Sequence, residues 1–311
     1  MRTVGVALLL AALVSAGCGS TTKSGASAMT LYTCKTDNIE QAVVAAFEHA
    51  HPGAKVNVFR APTGQLNARV AADVRSGGIG ADAVWACDPL TMHGYDSQGL
   101  LRAWSPPNAA EIPGRYRTAH FTGVDVLYML AVVHRGVPAP ATWAALASPA
   151  YRGGVALPSP GFAASALGTL GYLAAAPGYG IGFYRRLKAN GAVQVDAPGD
   201  ALTGVERGTY RAAVTLAGPA YADRKKGSPI DIAWPKPGAV AIYGPIGVTT
   251  KKHLSPLAEQ FAAFAASRAG QRVMAGQGDY PALPGLGGPP IPAGSRIVSP
   301  DWPALFGGYK S

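Results

Sequence analysis

The residues that could do covalent chemistry are scattered along this chain. No Gly-x-Ser-x-Gly, His-Glu-x-x-His or Gly-x-x-x-x-Gly-Lys-Ser/Thr arrangement occurs. His49 and His51 are two apart on a helical stretch, so they face different ways, and neither has a metal-ligand partner at useful spacing. His93, His120, His134 and His253 stand alone, and Cys34 and Cys87 form no Cys-x-x-Cys. The remaining chemistry is non-covalent holding. Thr63-Gly64-Gln65 opens a helix, where free N–H groups and the helix dipole favour an anion. Ser159 to Ser165 repeats that situation: Gly161 lets backbone approach a ligand, Phe162 adjoins it, and Ser165 offers a hydroxyl. Asp88 follows a strand and could meet a ligand amine, Thr36 follows another, and Tyr221 offers a phenol. Each has a structural alternative: Thr63 or Asp88 as a helix cap, Ser159–Ser165 as a capped turn, and Tyr243 as packing. The expectation is a binding protein, not an enzyme, without metal or cofactor.

Alternating strand and helix patterns must position these groups. Residues 29–34 (MTLYTC) read as a strand. Asn38 then opens a helix, with Gln41 in capping-box position and Ile39, Val43 and Phe47 on its apolar face. Residues 54–60 form a second strand, Thr63 starts a second helix over Leu66 and Val70, residues 81–87 form a third strand, and 90–101 look helical. Strands separated by helices of this length mean βαβ units and a parallel sheet, whose ligand side is the carboxyl end of its strands. Trp85, on a strand covered on both faces, is expected in the core. A second block repeats the pattern: strands at 123–134, 154–158, 191–195, 212–216, 230–234 and 239–248, with helices at 164–175 and 179–190. Ser255-Pro256 starts a helix expected to run to about 275, and beyond Gly276 the chain reads as irregular.

The N-terminal residues place the protein. Arg2, an uncharged apolar run over 4–14, then Ser15-Ala16-Gly17-Cys18 describe a secretory signal. The run is too short to span a bilayer, which takes about 20 residues. Cys18 after Ala-Gly resembles the acceptor of bacterial lipoproteins, although Ser15 stands where those usually carry Leu; secretion without lipid is the alternative. Residues 1–18 are thus read as signal and 19–28 as a flexible tether. The net charge is +10, but export and the lack of a long basic run argue against a nucleic-acid partner. Attraction to an anionic membrane surface, steering of anionic solutes, and a merely solvated basic surface remain open.

In order, a strand followed by Lys-Thr-Asp-Asn and a helix, a strand followed by the Thr-Gly-Gln-Leu helix start, Ala-Asp-Ala-Val-Trp, Trp143 through Pro160, Tyr221 through Gly238, and Ser267-Arg-Ala-Gly-Gln271 resemble one family. It is the extracellular solute-binding proteins of ABC importers, in the branch with ferric-iron and phosphonate binders. The resemblance implies an α/β fold of the type II periplasmic-binding kind: two lobes, each a mainly parallel sheet flanked by helices, joined by two hinge strands. Lobe 1 would be 29–125 plus 244–311, and lobe 2 would be 126–243. It implies ligand held between the lobes by hinge closure, delivery to ABC permease subunits, and a membrane link through lipid on Cys18. Iron-binding members carry adjacent tyrosines near Tyr221, and here Tyr221 is single. A small anionic or zwitterionic solute, phosphonate- or carboxylate-like, is therefore expected. Ferric ion is the alternative, and a sensor or interaction lipoprotein on the same scaffold is a further one. Cys34 and Cys87 end the first and third strands, which are neighbours in the usual order of this sheet, so they are expected to form a disulfide.

Overall fold

The computed structural model describes residues 27–309. The signal, Cys18 and most of the proposed tether lie outside the described residues.

The first block is β1 (Ser27–Thr33), α1 (Asp37–Ala50), β2 (Ala54–Arg60), α2 (Thr63–Arg75), β3 (Ala83–Trp85) and α3 (Pro89–Ser97). β1 pairs in parallel with β2 on one side and β3 on the other. A long strand, β4 (Phe121–His134), leaves this block. The second block is β5 (Val155–Pro158), α4 (Ala164–Ala175), α5 (Gly180–Ala189), β6 (Val193–Val195), α6 (Pro198–Glu206), β7 (Ala212–Leu216), α7 (Ala217–Lys225) and β8 (Ile230–Ala233). β5 pairs in parallel with β6 and β7. The chain returns along β9 (Ala239–Val248), then forms α8 (Leu257–Ala266), α9 (Arg268–Gly276), β10 (Tyr280–Pro281), β11 (Ile297–Val298) and α10 (Trp302–Tyr309).

The two parallel groups belong to one curled sheet of order β2-β1-β3-β9-β4-β7-β5-β6. Its centre is the antiparallel β4–β9 pair, running from Phe121 opposite Gly247 to Met129 opposite Val240. The far end of β9 pairs with β3 and the far end of β4 with β7, so these two strands connect the lobes. Their register slips between Gly123 and Asp125, next to the Asp125–Gly244 pair. Trp85, Trp143, Phe47, Phe121, Phe183 and Phe261 are fully buried, as expected for Trp85.

Local chemistry corrects several boundaries. The first helix starts at Asp37 behind Thr36, and Asn38 caps nothing: its amide donates to the Gln277 carbonyl instead. Thr63 is the first residue of α2, with Pro62 before it, so the capping alternative for Thr63 fails. The third helix stops at Ser97, short of residue 101. Gly99 takes φ +68°, and the N–H groups of Gly99 and Leu100 close on the Asp96 and Tyr95 carbonyls, the Schellman arrangement. The helix expected over 256–275 is two helices. Pro256 precedes the first, and Ser267 breaks the run with its Oγ accepting from Gly270 N–H at 3.2 Å. Ser267→Ala should cost about 1 kcal/mol by orphaning that donor; an unchanged urea midpoint would show that the break is held by packing alone. The segment after Gly276 is not wholly irregular: it adds β10, β11 and α10. Pro and Gly hid that last helix, which docks Trp302 edge-on to Tyr243.

Candidate functional site

Three strand-to-helix transitions face one another across the gap between the lobes. α2 begins at Thr63, right after β2; α4 begins at Ala164, after β5; α6 begins at Pro198, after β6. The first turn of a helix leaves N–H groups without partners inside the helix, at the positive end of its dipole; α6 opens on Pro198, which has no N–H to offer. Between the three helix starts lies a cavity of about 330 Å³ lined by Thr36, Arg60 and Thr63 from the first lobe and by Ser165, Pro198, Thr215 and Asp223 from the second. Arg60 is steered by its Nε, which donates to the Lys35 carbonyl at 2.7 Å and pairs with Asp37 at 2.8 Å.

A neighbouring cavity of about 330 Å³ shares Thr63 and Phe162 with the first and adds Gly64, Asp88 and Gly161. Here the lobes touch. The Gly64 N–H donates to the Phe162 carbonyl at 3.4 Å. A third compartment, about 500 Å³, is lined by Lys35, Thr36, Asn38, Lys226, Asp279 and Tyr280. Cys34 and Cys87 line both this compartment and the first. They form the expected disulfide, with Cα atoms 5.9 Å apart.

The sequence candidates therefore divide. Thr36, Thr63, Ser165 and Phe162 line the cavity between the three helix starts, and Gly64, Asp88 and Gly161 line its neighbour. Gln65 is exposed and lines neither, and Ser159 lines neither, its Oγ accepting from the Gly161 N–H at 3.4 Å. Asp88 caps α3, Oδ1 accepting from Thr91 N–H at 2.8 Å, while Oδ2 is buried without a hydrogen-bond partner among the described residues. Burial pushes its carboxyl above the usual range. Tyr221 lines none of the three compartments; its hydroxyl accepts from Trp234 Nε1 at 3.2 Å. Tyr243 is buried against Tyr116 and Trp302, which is packing. Sequence reasoning missed Arg60, Asp223 and the α6 start. The run Ala197-Pro198-Gly199-Asp200 did carry a readable cue, Pro at the first helical position with an acidic residue two later.

It also missed a buried ionic cluster beneath the third compartment. Lys35 Nζ pairs with Asp125, and Trp85 Nε1 donates to Asp125 Oδ1 at 3.3 Å. Asp279 is buried alongside, and burial, then the Asp125 charge, raises its pKa well above the ordinary aspartate range, against the pull of Lys35. The native state thus keeps the Asp279 proton to higher pH than the unfolded chain, and stability falls as pH rises from the ordinary aspartate value through the raised one. Asp279→Asn should remove that fall. Its thermal midpoint should overtake wild type as pH rises and show no such gain at acidic pH. Parallel curves across the range would show that Asp279 is ionised in the native protein.

The profile of bacterial extracellular solute-binding proteins matches residues 36–278. The chain belongs to that family. No curated protein matches it by sequence. Among solved structures, this solute-binding protein resembles the periplasmic binding protein AfuA from Actinobacillus pleuropneumoniae, whose structure holds fructose-6-phosphate, at 16% identity over 89% of this chain and 93% of that one, TM-score 0.78. It resembles iron-bound HitA from Pseudomonas aeruginosa at 21% identity over 90% and 92%, TM-score 0.73. It resembles the apo ferric ion-binding protein A of Pasteurella haemolytica at 17% identity over 92% and 95%, TM-score 0.76. These likenesses support the two-lobed type II periplasmic-binding fold expected from the sequence. The family places the solute-binding protein in extracytoplasmic transport by binding, with no enzymatic role. No helix among the described residues is long and apolar enough to cross a membrane.

Proposed function

We propose that this solute-binding protein captures a small anionic or zwitterionic solute, bearing a phosphate, phosphonate or carboxylate group, in the interlobe cleft and hands it to an ABC permease. The supporting observation is the cavity where the starts of α2, α4 and α6 converge with Arg60. Positive dipole ends and a guanidinium together favour a compact negative charge. Thr36, Thr63 and Ser165 add hydroxyls for its oxygens, while Thr215 donates its own to the Pro198 carbonyl at 2.7 Å. Lobe 1 would comprise 29–125 and 244–311 and lobe 2 residues 126–243, with the change of lobe at the Asp125–Gly244 register pair. Closure would bury the anion from both sides, so that contacts made only in the closed form drive the motion. Lipid on Cys18 would hold the protein at the membrane.

Ferric ion is the second reading, because similar folds in HitA and the Pasteurella protein hold or are named for iron. It is ranked lower on donor chemistry. A hard ferric ion wants several anionic oxygens, and among the described residues lining the cavity Asp223 is the one carboxylate, with no phenol. Calorimetric titration with phosphate esters, phosphonates, carboxylates and ferric citrate tests the ranking. Binding of an anionic solute that Arg60→Gln weakens supports it; a coloured iron complex lost on Tyr221→Phe would reverse it.

A further inference from the structure

The end of the second lobe that faces away from the cleft is built from loops and carries an excess of positive charge. β5 and β7 aim their carboxyl ends at the cleft, so their first residues lie at the outer pole. Backbone hydrogen bonds gather five chain segments there. The Arg211 N–H donates to the Gly154 carbonyl at 2.8 Å, His134 to Arg211 at 3.0 Å, Arg135 to Pro229 at 2.8 Å and Gly153 to Asn190 at 2.8 Å. On this surface Arg135, Arg152, Lys188, Arg207 and Arg211 are all exposed. The Arg135 guanidinium reaches the Ser228 carbonyl at 3.4 Å. None of the five pairs with a carboxylate among the described residues. The nearby acids do not offset them: Glu206 is half-buried, and Asp231 already faces another cation, Arg224, at 3.9 Å.

The shape of this patch narrows its partner. None of the five side chains lines a cleft compartment, so the patch is not an extension of the solute site. The charges are spread over several loops, which suits an extended array of negative groups better than one small anion. The neighbouring aromatic, Tyr210, is half-buried, and a Cβ on Gly204 would lie 2.3 Å from its ring, so it offers no free face for a stacked base. A family that delivers solutes to a membrane permease works beside phospholipid headgroups. β1 starts at Ser27, at the outer end of the first lobe, because Cys34, just past its other end, is at the cleft. Ser27 and the basic patch thus sit at opposite ends of the molecule. We propose that the basic pole of lobe 2 rests on an anionic phospholipid surface, a membrane contact at the other end of the molecule from Ser27.

Vesicle partitioning tests this with the full chain. Phosphatidylcholine vesicles with and without phosphatidylglycerol are compared, so that any contribution of the N-terminal segment is common to both. Wild type should prefer the anionic vesicles at low salt and lose the preference in molar salt. Each cation near such a surface contributes about fivefold, so Arg152→Gln/Arg207→Gln/Arg211→Gln should lower the preference on the order of 100-fold. Glutamine keeps most of each stem, and an unchanged thermal midpoint checks the fold. A charge-matched control, Lys55→Gln/Arg75→Gln/Arg117→Gln on the first lobe, should lose far less. Equal partitioning of wild type onto both vesicles, or equal loss in the control, would overturn the proposal. So would binding to an acidic polypeptide without preference for the anionic vesicles.

Discussion

Replacing Cys34 and Cys87 together by serine is expected to lower the unfolding free energy by about 4 kcal/mol. The bridge closes a segment of 53 residues, and the chain-entropy relation gives about that value for such a loop. For a chain of this size it corresponds to a thermal midpoint lower by roughly 10 °C. The loss should also reach the cleft, because the bridge ties the ends of β1 and β3, and the residues that follow them, Lys35, Thr36 and Asp88, line its compartments. Differential scanning calorimetry of the double variant, and of wild type with and without reductant, measures the effect. A midpoint within a degree or two of wild type would mean that sheet packing alone holds these strands together.

The second large effect is on affinity. A side chain on Gly64 would place its Cβ 3.2 Å from the Gly161 carbonyl oxygen and 3.7 Å from the Phe162 Cα, both on the opposite lobe. Gly64→Val adds branches beyond that Cβ, so the lobes would have to separate where the Gly64 N–H now meets the Phe162 carbonyl. Solute held from both sides would lose closed-form contacts, and affinity should fall at least tenfold, about 1.4 kcal/mol. Gly64 has no positive φ, so the unliganded thermal midpoint should barely move. Gly161 differs: a Cβ there meets only Ser159 Oγ at 3.7 Å, so Gly161→Val is expected to be milder. The sequence treats the two glycines alike, and only the packing separates them. Titration of both variants with the best anionic solute decides the matter; wild-type affinity in Gly64→Val would move the site away from this contact.

What could be read from sequence is what local pattern controls. β5, α4, β7 and β9 follow from apolar runs and turn residues with little help from tertiary context. Thr36, Thr63 and Ser165 were found because a strand-to-helix transition places them at the ligand end of a parallel sheet whatever the partner lobe does. Arg60 ends a strand and looks like any solvated arginine until the Lys35 carbonyl and Asp37 steer it. Asp223 lies well inside α7, and only the tertiary packing of that helix brings it to the cleft. Lys35, Asp125 and Asp279 are far apart in the chain, and the pairing of β10 with β4 that sets Asp279 beside Asp125 is specified by no local pattern. α10 contains Pro303, Gly307 and Gly308, poor helix formers. It is held by contacts such as Leu305 against Gly171, where an added Cβ would come within 2.6 Å of the leucine.

The most direct measurement is a thermal-shift screen of the purified protein over phosphate esters, phosphonates, small carboxylates and ferric citrate, run beside Gly64→Val. A solute present at about 100 times its dissociation constant stabilises the folded state by about 2.7 kcal/mol. At least one anionic solute is therefore expected to raise the wild-type midpoint by several degrees and to raise that of Gly64→Val clearly less. A rise with ferric citrate alone, or an anion-induced rise of equal size in both proteins, would contradict capture of an anion between the two lobes.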